Sequence, residues 1–168
     1  MSRTHAHFFS LAAGLASVLV AVGCAPADVA GDYTIALTNG ENGCMVNNWD
    51  VGTSTSGVPV LITQDGGTVQ ATVNGTSGTL LNLVVGSMHF NGDIAGDRIA
   101  ASLIGDNNAR QGECSYTFTV DMDATVSGDV IQGELTWRPV TNGHPDCGVL
   151  ETCRNRQTFN GTRPPSVD

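Results

Sequence analysis

Apolar and polar residues alternate without a break from Cys114 to Val126. A period of two places successive side chains on opposite faces of a β-strand, so this stretch predicts a long half-buried strand and excludes a helix. Shorter runs of the same kind recur along the chain, although the last has mostly polar inward candidates, Asn155, Gln157 and Phe159. Together the runs predict eight strands, at about 31–38, 58–64, 68–74, 82–95, 98–104, 114–126, 130–139 and 153–161.

A short motif occurs three times, as GGTVQATV at 66–73, GDRIAASL at 96–103 and GDVIQGEL at 128–135. Each copy begins with a glycine-containing turn that leads into a strand. Tight hairpin turns need positive φ angles, which glycine adopts without steric cost. The motif therefore predicts three hairpins in sequence, as in a meander. We find no helical period after Cys24, and we interpret the break in alternation at 79–85 as a β-bulge.

Eight sequential antiparallel strands tend to close on themselves, because closure removes the exposed edges of the sheet. The sequence thus predicts an all-β fold, an eight-stranded antiparallel up-and-down β-barrel over residues 31–163 with a tail at 164–168. Connections in such a barrel alternate between its two ends. The tight turns fall at one end, near 64–67, 95–97 and 127–129. The long connections fall at the other, open end, at 39–57, 75–81, 105–113 and 140–152.

Two short motifs resemble those of a known superfamily. Gly31-Asp32-Tyr33, at the start of the first strand, resembles the G-x-W/Y opening of the calycins, which include lipocalin and avidin-like barrels. The closing run from Phe159 to Arg163 resembles the aromatic-then-arginine ending of small secreted bacterial barrels of this sort. The resemblance implies a lipocalin-like barrel and, by analogy with that fold alone, ligand binding.

The first part of the chain is typical of an export signal. The apolar run from Phe8 to Val22 is too short to span a bilayer comfortably, but suits the core of a signal peptide. The string LVAVGC that ends at Cys24 resembles the lipobox of bacterial lipoproteins, with Ala21 where that family favours leucine. A rival interpretation uses 25–27 as an ordinary small-x-small cleavage site, which would discard Cys24.

The lipobox resemblance implies a signal peptide at 1–23, a lipid on Cys24 and a tether at 24–30. Ala25 is not the aspartate that retains some lipoproteins at the inner membrane. The resemblance therefore implies an outer-membrane lipoprotein of the bacterial cell envelope, facing the periplasm or the surface. Its membrane contact would be the N-terminal lipid anchor, since two or more acyl chains give stable anchoring.

Four cysteines remain after Cys24, and an even number in an exported chain predicts two disulfides. Four cysteines allow three pairings. We favour Cys147 with Cys153 and Cys44 with Cys114, because the first two are close in the chain and closing a short loop costs little. All four cysteines lie in, or at the edge of, the long connections. Whichever pairing forms, the disulfides would therefore brace the open end.

Charge and composition limit the classes of partner, cofactor and metal that the protein is expected to bind. Seven arginines and no lysine stand against sixteen acidic residues, for a net charge of −9. This balance argues against nucleic acid or anionic lipid surfaces as partners. We predict no cofactor and no metal. A zinc site with His144, Asp146 and two cysteines conflicts with an oxidising compartment. A calcium loop at 106–108 would need an oxygen where Arg110 stands.

Catalytic motifs are missing from the sequence: it contains no G-x-S-x-G, no lysine and no nucleophile placed beside a base. We therefore predict a non-catalytic, lipid-anchored binding module for a small apolar ligand or an envelope protein partner. The alternatives are a purely structural lipoprotein without ligand and, least favoured, a hydrolase-type enzyme that uses His144. The candidate binding residues at the open end are Trp49, Tyr116 and His144. The sequence leaves open whether the barrel is filled or holds a cavity.

Overall fold

The computed structural model describes residues 25–165, so Cys24 and the predicted signal peptide lie outside the described residues. Within them the chain forms nine strands, one α-helix and one 3-10 helix. The strands are β1 (Gly31–Asn42), β2 (Ser54–Asp65), β3 (Thr68–Val73), β4 (His89–Ala95), β5 (Arg98–Ile104), β6 (Ala109–Gln111), β7 (Cys114–Ser127), β8 (Val130–Thr141) and β9 (Asn155–Thr162). The α-helix, α1, spans Gly75–Val85, and the 3-10 helix spans Pro145–Glu151.

Eight of the strands close into an antiparallel barrel in sequence order. β1 pairs with both β2 and β9. Each later strand of the ring pairs with the next one along the chain, except that β5 pairs with β7 because the short β6 is not part of the ring. The ring closes where β5 pairs with β7, with Ile99 opposite Ala124 and Leu103 opposite Val120. β6 lies outside the ring and pairs only with the beginning of β7. The predicted fold class is therefore confirmed.

The three repeated motifs are the three tight turns of the barrel. Gly66, Gly96 and Gly128 adopt φ angles of 59°, 62° and 58°, the left-handed conformation that the hairpins require. All three turns lie at one end, which we call the closed end. The N-terminal segment reaches the same end, where the backbone N–H of Ala27 donates to the carbonyl of Gly96 at 2.8 Å.

The predicted strand at 82–95 is wrong in its first part, and so is the expectation that no helix follows Cys24. The segment read as a bulge belongs to α1, and β4 begins only at His89. A short apolar run without charges gives no clear period, so its sequence does not distinguish strand from helix. Gly86 ends α1 in the left-handed conformation at φ 91° and donates to the carbonyl of Asn82 at 2.8 Å.

The two predicted disulfides form, at the open end, but the favoured pairing is wrong. Cys44 pairs with Cys153, and Cys114 pairs with Cys147. Pairing of β1 with β9 brings the first and last long connections side by side, so Cys44 meets a partner 109 residues away. Closeness in the folded barrel, and not closeness along the chain, therefore determines the pairing.

The two motifs that resemble calycin barrels meet at the closed end. The guanidinium of Arg163 lies 5.9 Å from the centre of the Tyr33 ring, and its Nε donates to Asp129 at 3.0 Å. Tyr33 is buried, and Val29 beside it is fully buried. The closed end is thus filled by the protein's own side chains.

Candidate functional site

An apolar cavity of about 180 Å³ lies inside the barrel toward the open end. Its wall is built from the inward phase of seven of the eight strands in the ring, all except β5, and this is the phase that alternation predicted. The lining includes Ile35, Leu37, Val58, Val60, Ile62, Ala71, Val73, Phe90, Met122, Ile131, Leu135, Trp137 and Phe159, together with Ser77 and Leu81 from α1 and Gln157 from β9. The interior of the barrel is therefore not completely filled by side chains.

The interior beside β5 is packed. Leu103 and Val120 are fully buried on β5 and β7, and Val85 at the end of α1 is 2% exposed. At the bottom, Tyr33, Val69 and Ile99 fill the space above the closed end. Room remains beside β2 and β3 because the inward residues there are small, such as Ala71 and Val73.

Helix α1 covers the cavity. Ser77 and Leu81 are four residues apart, so they share one face of the helix, and both line the cavity. The helix is held at both ends: the N–H of Asn74 donates to Pro59 at 2.8 Å. At its end, the N–H groups of Asp106 and Asn107 donate to the carbonyl of Val85 at 2.9 and 3.0 Å. These contacts make α1 a partial cap beside β2 and β3, over a mouth that remains partly open.

Gln157 places a polar group in the otherwise apolar wall. Its Oε1 accepts a hydrogen bond from Trp137 Nε1 at 2.8 Å, and its Nε2 donates to Asn39 Oδ1 at 2.8 Å. The Trp137 ring also meets Trp49 edge to face, with ring centres 6.4 Å apart. Because an indole N–H only donates, it fixes which way the amide of Gln157 points.

Ionisable groups with shifted pKa values lie outside the cavity lining. The hydrogen bond from Arg138 to Asp121 at 2.7 Å lowers the pKa of that carboxyl group and raises the pKa of the arginine. At the closed end, burial raises the pKa of Tyr33, whose hydroxyl has no hydrogen-bond partner among residues 25–165. Asp121, Arg138 and Tyr33 therefore belong to the structural framework of the barrel and not to the cavity lining.

The three candidate binding residues occupy separate places. Trp49 packs on Trp137 at the cavity wall and donates from Nε1 to the carbonyl of Gly40 at 3.2 Å. Tyr116 instead packs edge to face against Phe118, with ring centres 5.7 Å apart. Its backbone pairs with Thr141, four residues beyond Trp137 on β8. Of these two aromatic residues, only Trp49 packs directly on a residue of the cavity lining.

His144 lies in the last long connection, outside the cavity lining. Its Nδ1 accepts from the backbone N–H of Asp146 at 3.2 Å and lies 3.7 Å from the carboxylate. The other carboxylate oxygen of Asp146 accepts from the backbone of Glu113 at 2.9 Å. Cys147 and Cys153 are both in disulfides, so their thiolates are not available to the zinc site considered above.

Sequence reasoning missed Gln157, Ser77 and Leu81 as residues of the site. The sequence pattern indicated the position of Gln157, because this residue occupies the inward phase of the last strand, and that phase is confirmed. No pattern indicated Ser77 and Leu81, since the helix that carries them was not predicted. His89 is exposed and hydrogen-bonds Thr72 on the neighbouring strand at 3.1 Å.

Two features are absent from the part of the chain that runs from 25 to 165. No group of three or more His, Cys, Asp or Glu side chains there is arranged to hold a metal ion. No helix in the same range is long and apolar enough to cross a membrane. In comparisons with known proteins, no family model, curated protein or solved structure matches the chain.

Proposed function

We propose that this barrel is a binding module that takes a small apolar ligand into the cavity beneath α1. The observation that carries the proposal is the cavity itself, whose lining is apolar except for Ser77 and Gln157. Such a lining holds water poorly, because a water molecule needs two to four polar partners. An apolar molecule that moves from bulk water into such a site gains free energy from the burial of its surface.

Filling the cavity is expected to abolish binding. Val60 lines it and is only partly buried, so Val60→Phe places a ring in the space that a ligand would occupy. We expect at least a tenfold loss of affinity for toluene, indole or decanol, measured by NMR titration of the full-length protein. The stability should change little, by about 1.5 kcal/mol or less, because the larger side chain enters existing space.

The matched control is Thr63→Phe, which adds the same ring to the exposed face of the same strand and should leave the affinity unchanged. If none of the three probes binds the wild-type protein, the proposal is wrong. That result would favour a structural lipoprotein without ligand or the following candidate, a protein partner.

A second candidate function, the binding of an envelope protein, rests on the outer face of α1. Leu80, Leu83 and Val84 are 56%, 72% and 67% exposed, and no charged residue occurs in the helix. The second half of α1 thus has apolar residues on both its inner and its outer face, and an apolar helix face is ordinarily covered by another surface. The outer face therefore supports contact with another apolar surface at the open end.

We also propose that Cys24 carries the lipid that anchors the protein to the outer membrane. Ala27 hydrogen-bonds Gly96 at the closed end, and Cys24 lies only three residues before it. Three residues span at most about 10 Å, so this anchor would hold the closed end at the membrane. The mouth of the barrel would then point away from the membrane, where a ligand or partner has access.

The anchor predicts that Cys24→Ser moves the protein from the detergent phase to the aqueous phase in a detergent partition experiment. The reason is that the acyl chains, attached only at this thiol, supply the membrane affinity. Mass spectrometry of the N-terminal peptide checks the chemistry directly. A mature chain that begins at Asp28 without lipid would contradict the proposal and support the rival cleavage site.

A further inference from the structure

We propose that the cavity selects a compact, uncharged ligand of about the size of a monocyclic aromatic compound with one hydrogen-bonding group, and that Gln157 recognises that group. The inference rests on the proposed function, the binding of an apolar ligand in this cavity. It adds the size of the ligand, its charge and its one polar contact, each argued from a separate observation.

The volume of the cavity sets the size. A cavity of about 150 Å³ lined by aliphatic and aromatic side chains is known to stay dry and to bind benzene. The cavity here, at about 180 Å³, is slightly larger and has a similar lining. It accommodates one six-membered ring with a small substituent. A long acyl chain exceeds this volume, so part of it would remain outside the cavity, where its apolar surface stays in water.

The lining excludes a charged ligand. None of the residues that line the cavity is ionisable, and its only polar side chains are Ser77 and Gln157. Moving an ion from water into such surroundings costs far more than moving a neutral molecule, because no opposite charge compensates for the lost hydration. A carboxylate or ammonium compound of the same size should therefore bind much more weakly.

Gln157 is prepared to hold one polar group. A glutamine amide has two donor hydrogens and two acceptor lone pairs. Trp137 uses one lone pair of Oε1, and Asn39 uses one hydrogen of Nε2. One acceptor lone pair and one donor hydrogen of the Gln157 amide therefore remain. The two existing bonds hold the amide in place, so little rotamer freedom is lost when a ligand binds. A ligand hydroxyl, which both donates and accepts, matches what remains.

Phenol and toluene test this inference, because they have nearly the same shape and differ in a hydroxyl against a methyl group. Dissociation constants of both are measured by NMR titration on the full-length wild-type protein and on Gln157→Met. We expect the preference for phenol over toluene to fall by about three- to tenfold in the variant, the usual effect of one hydrogen bond. Ser77→Ala removes the other polar side chain and is the matched control, with no change in the preference.

Charge and size are tested on the wild-type protein alone, which keeps the inference open to refutation if Gln157→Met does not fold. Benzoate should bind at least tenfold more weakly than phenol, and decanol more weakly than toluene. If toluene binds but Gln157→Met leaves the preference unchanged, or benzoate binds as well as phenol, this inference falls and the proposed function stands. If decanol alone binds, the inferred size is wrong. If no probe binds, both proposals fall.

Discussion

Replacement of both Cys44 and Cys153 with serine is expected to lower the free energy of unfolding by about 4–5 kcal/mol, the largest effect of any change considered. Replacement of Cys114 and Cys147 should cost about 3–4 kcal/mol. The difference follows from loop length, since the two disulfides close loops of 109 and 33 residues. In the chain-entropy model, a longer loop removes more freedom from the unfolded chain.

Urea unfolding of the two double variants, followed by tryptophan fluorescence, measures this order of stabilities. Equal losses, or a greater loss for Cys114 and Cys147, would show that native-state contacts rather than loop entropy dominate. Peptide mapping without reduction is an independent check on the connectivity. A peptide pair that joins Cys147 to Cys153 would contradict the structure and restore the pairing favoured from sequence.

The second large effect is expected for Arg163→Gln, at about 3 kcal/mol of lost stability. The side chain of Arg163 is 9% exposed, and it donates to Asp129 and to the backbone carbonyls of Asp28 and Ala30. Removing one partner from a buried ion pair leaves the other group without compensation, which costs several kcal/mol. Partial exposure of Asp129 places the expected value at the lower end of that range.

Arg156→Gln is the matched control for that experiment. Arg156 also pairs with two carboxylates, Glu134 at 2.8 Å and Glu41 at 3.7 Å, but its side chain is 50% exposed. Exposed ion pairs contribute at most about 1 kcal/mol, because water and salt screen them. Thermal or urea unfolding should therefore separate the two variants clearly. Equal losses would show that burial does not distinguish the two arginines.

Alternation predicted the barrel well, because each of the eight strands in the ring has one face toward the interior and the other toward water. It failed at α1, where the surroundings and not the local sequence determine the conformation. The segment caps the mouth of a barrel, and its outer residues Leu80, Leu83 and Val84 are as apolar as its inner ones. A single sequence carries no sign of such a position, so the helix could not be read from periodicity.

The candidate site was predictable only in outline. Trp49 at the open end follows from topology, and Gln157 follows from the phase of the last strand. The cavity follows from neither of these. It depends on how the volumes of the inward side chains add up around the ring once the pairing register of the strands is fixed. Tyr116 and His144 were chosen for their residue types and their place at the open end. Two residues at the same end can still lie far apart.

The disulfides also determine where the mouth of the barrel can move. They tie together three of the four open-end connections: those between β1 and β2, β5 and β7, and β8 and β9. The fourth connection, which carries α1, contains no disulfide and is held by hydrogen bonds and by the burial of Val85. Thermal opening should therefore concentrate in that segment. On an otherwise cross-linked rim, motion of this one helix would widen the mouth through which a proposed ligand exchanges.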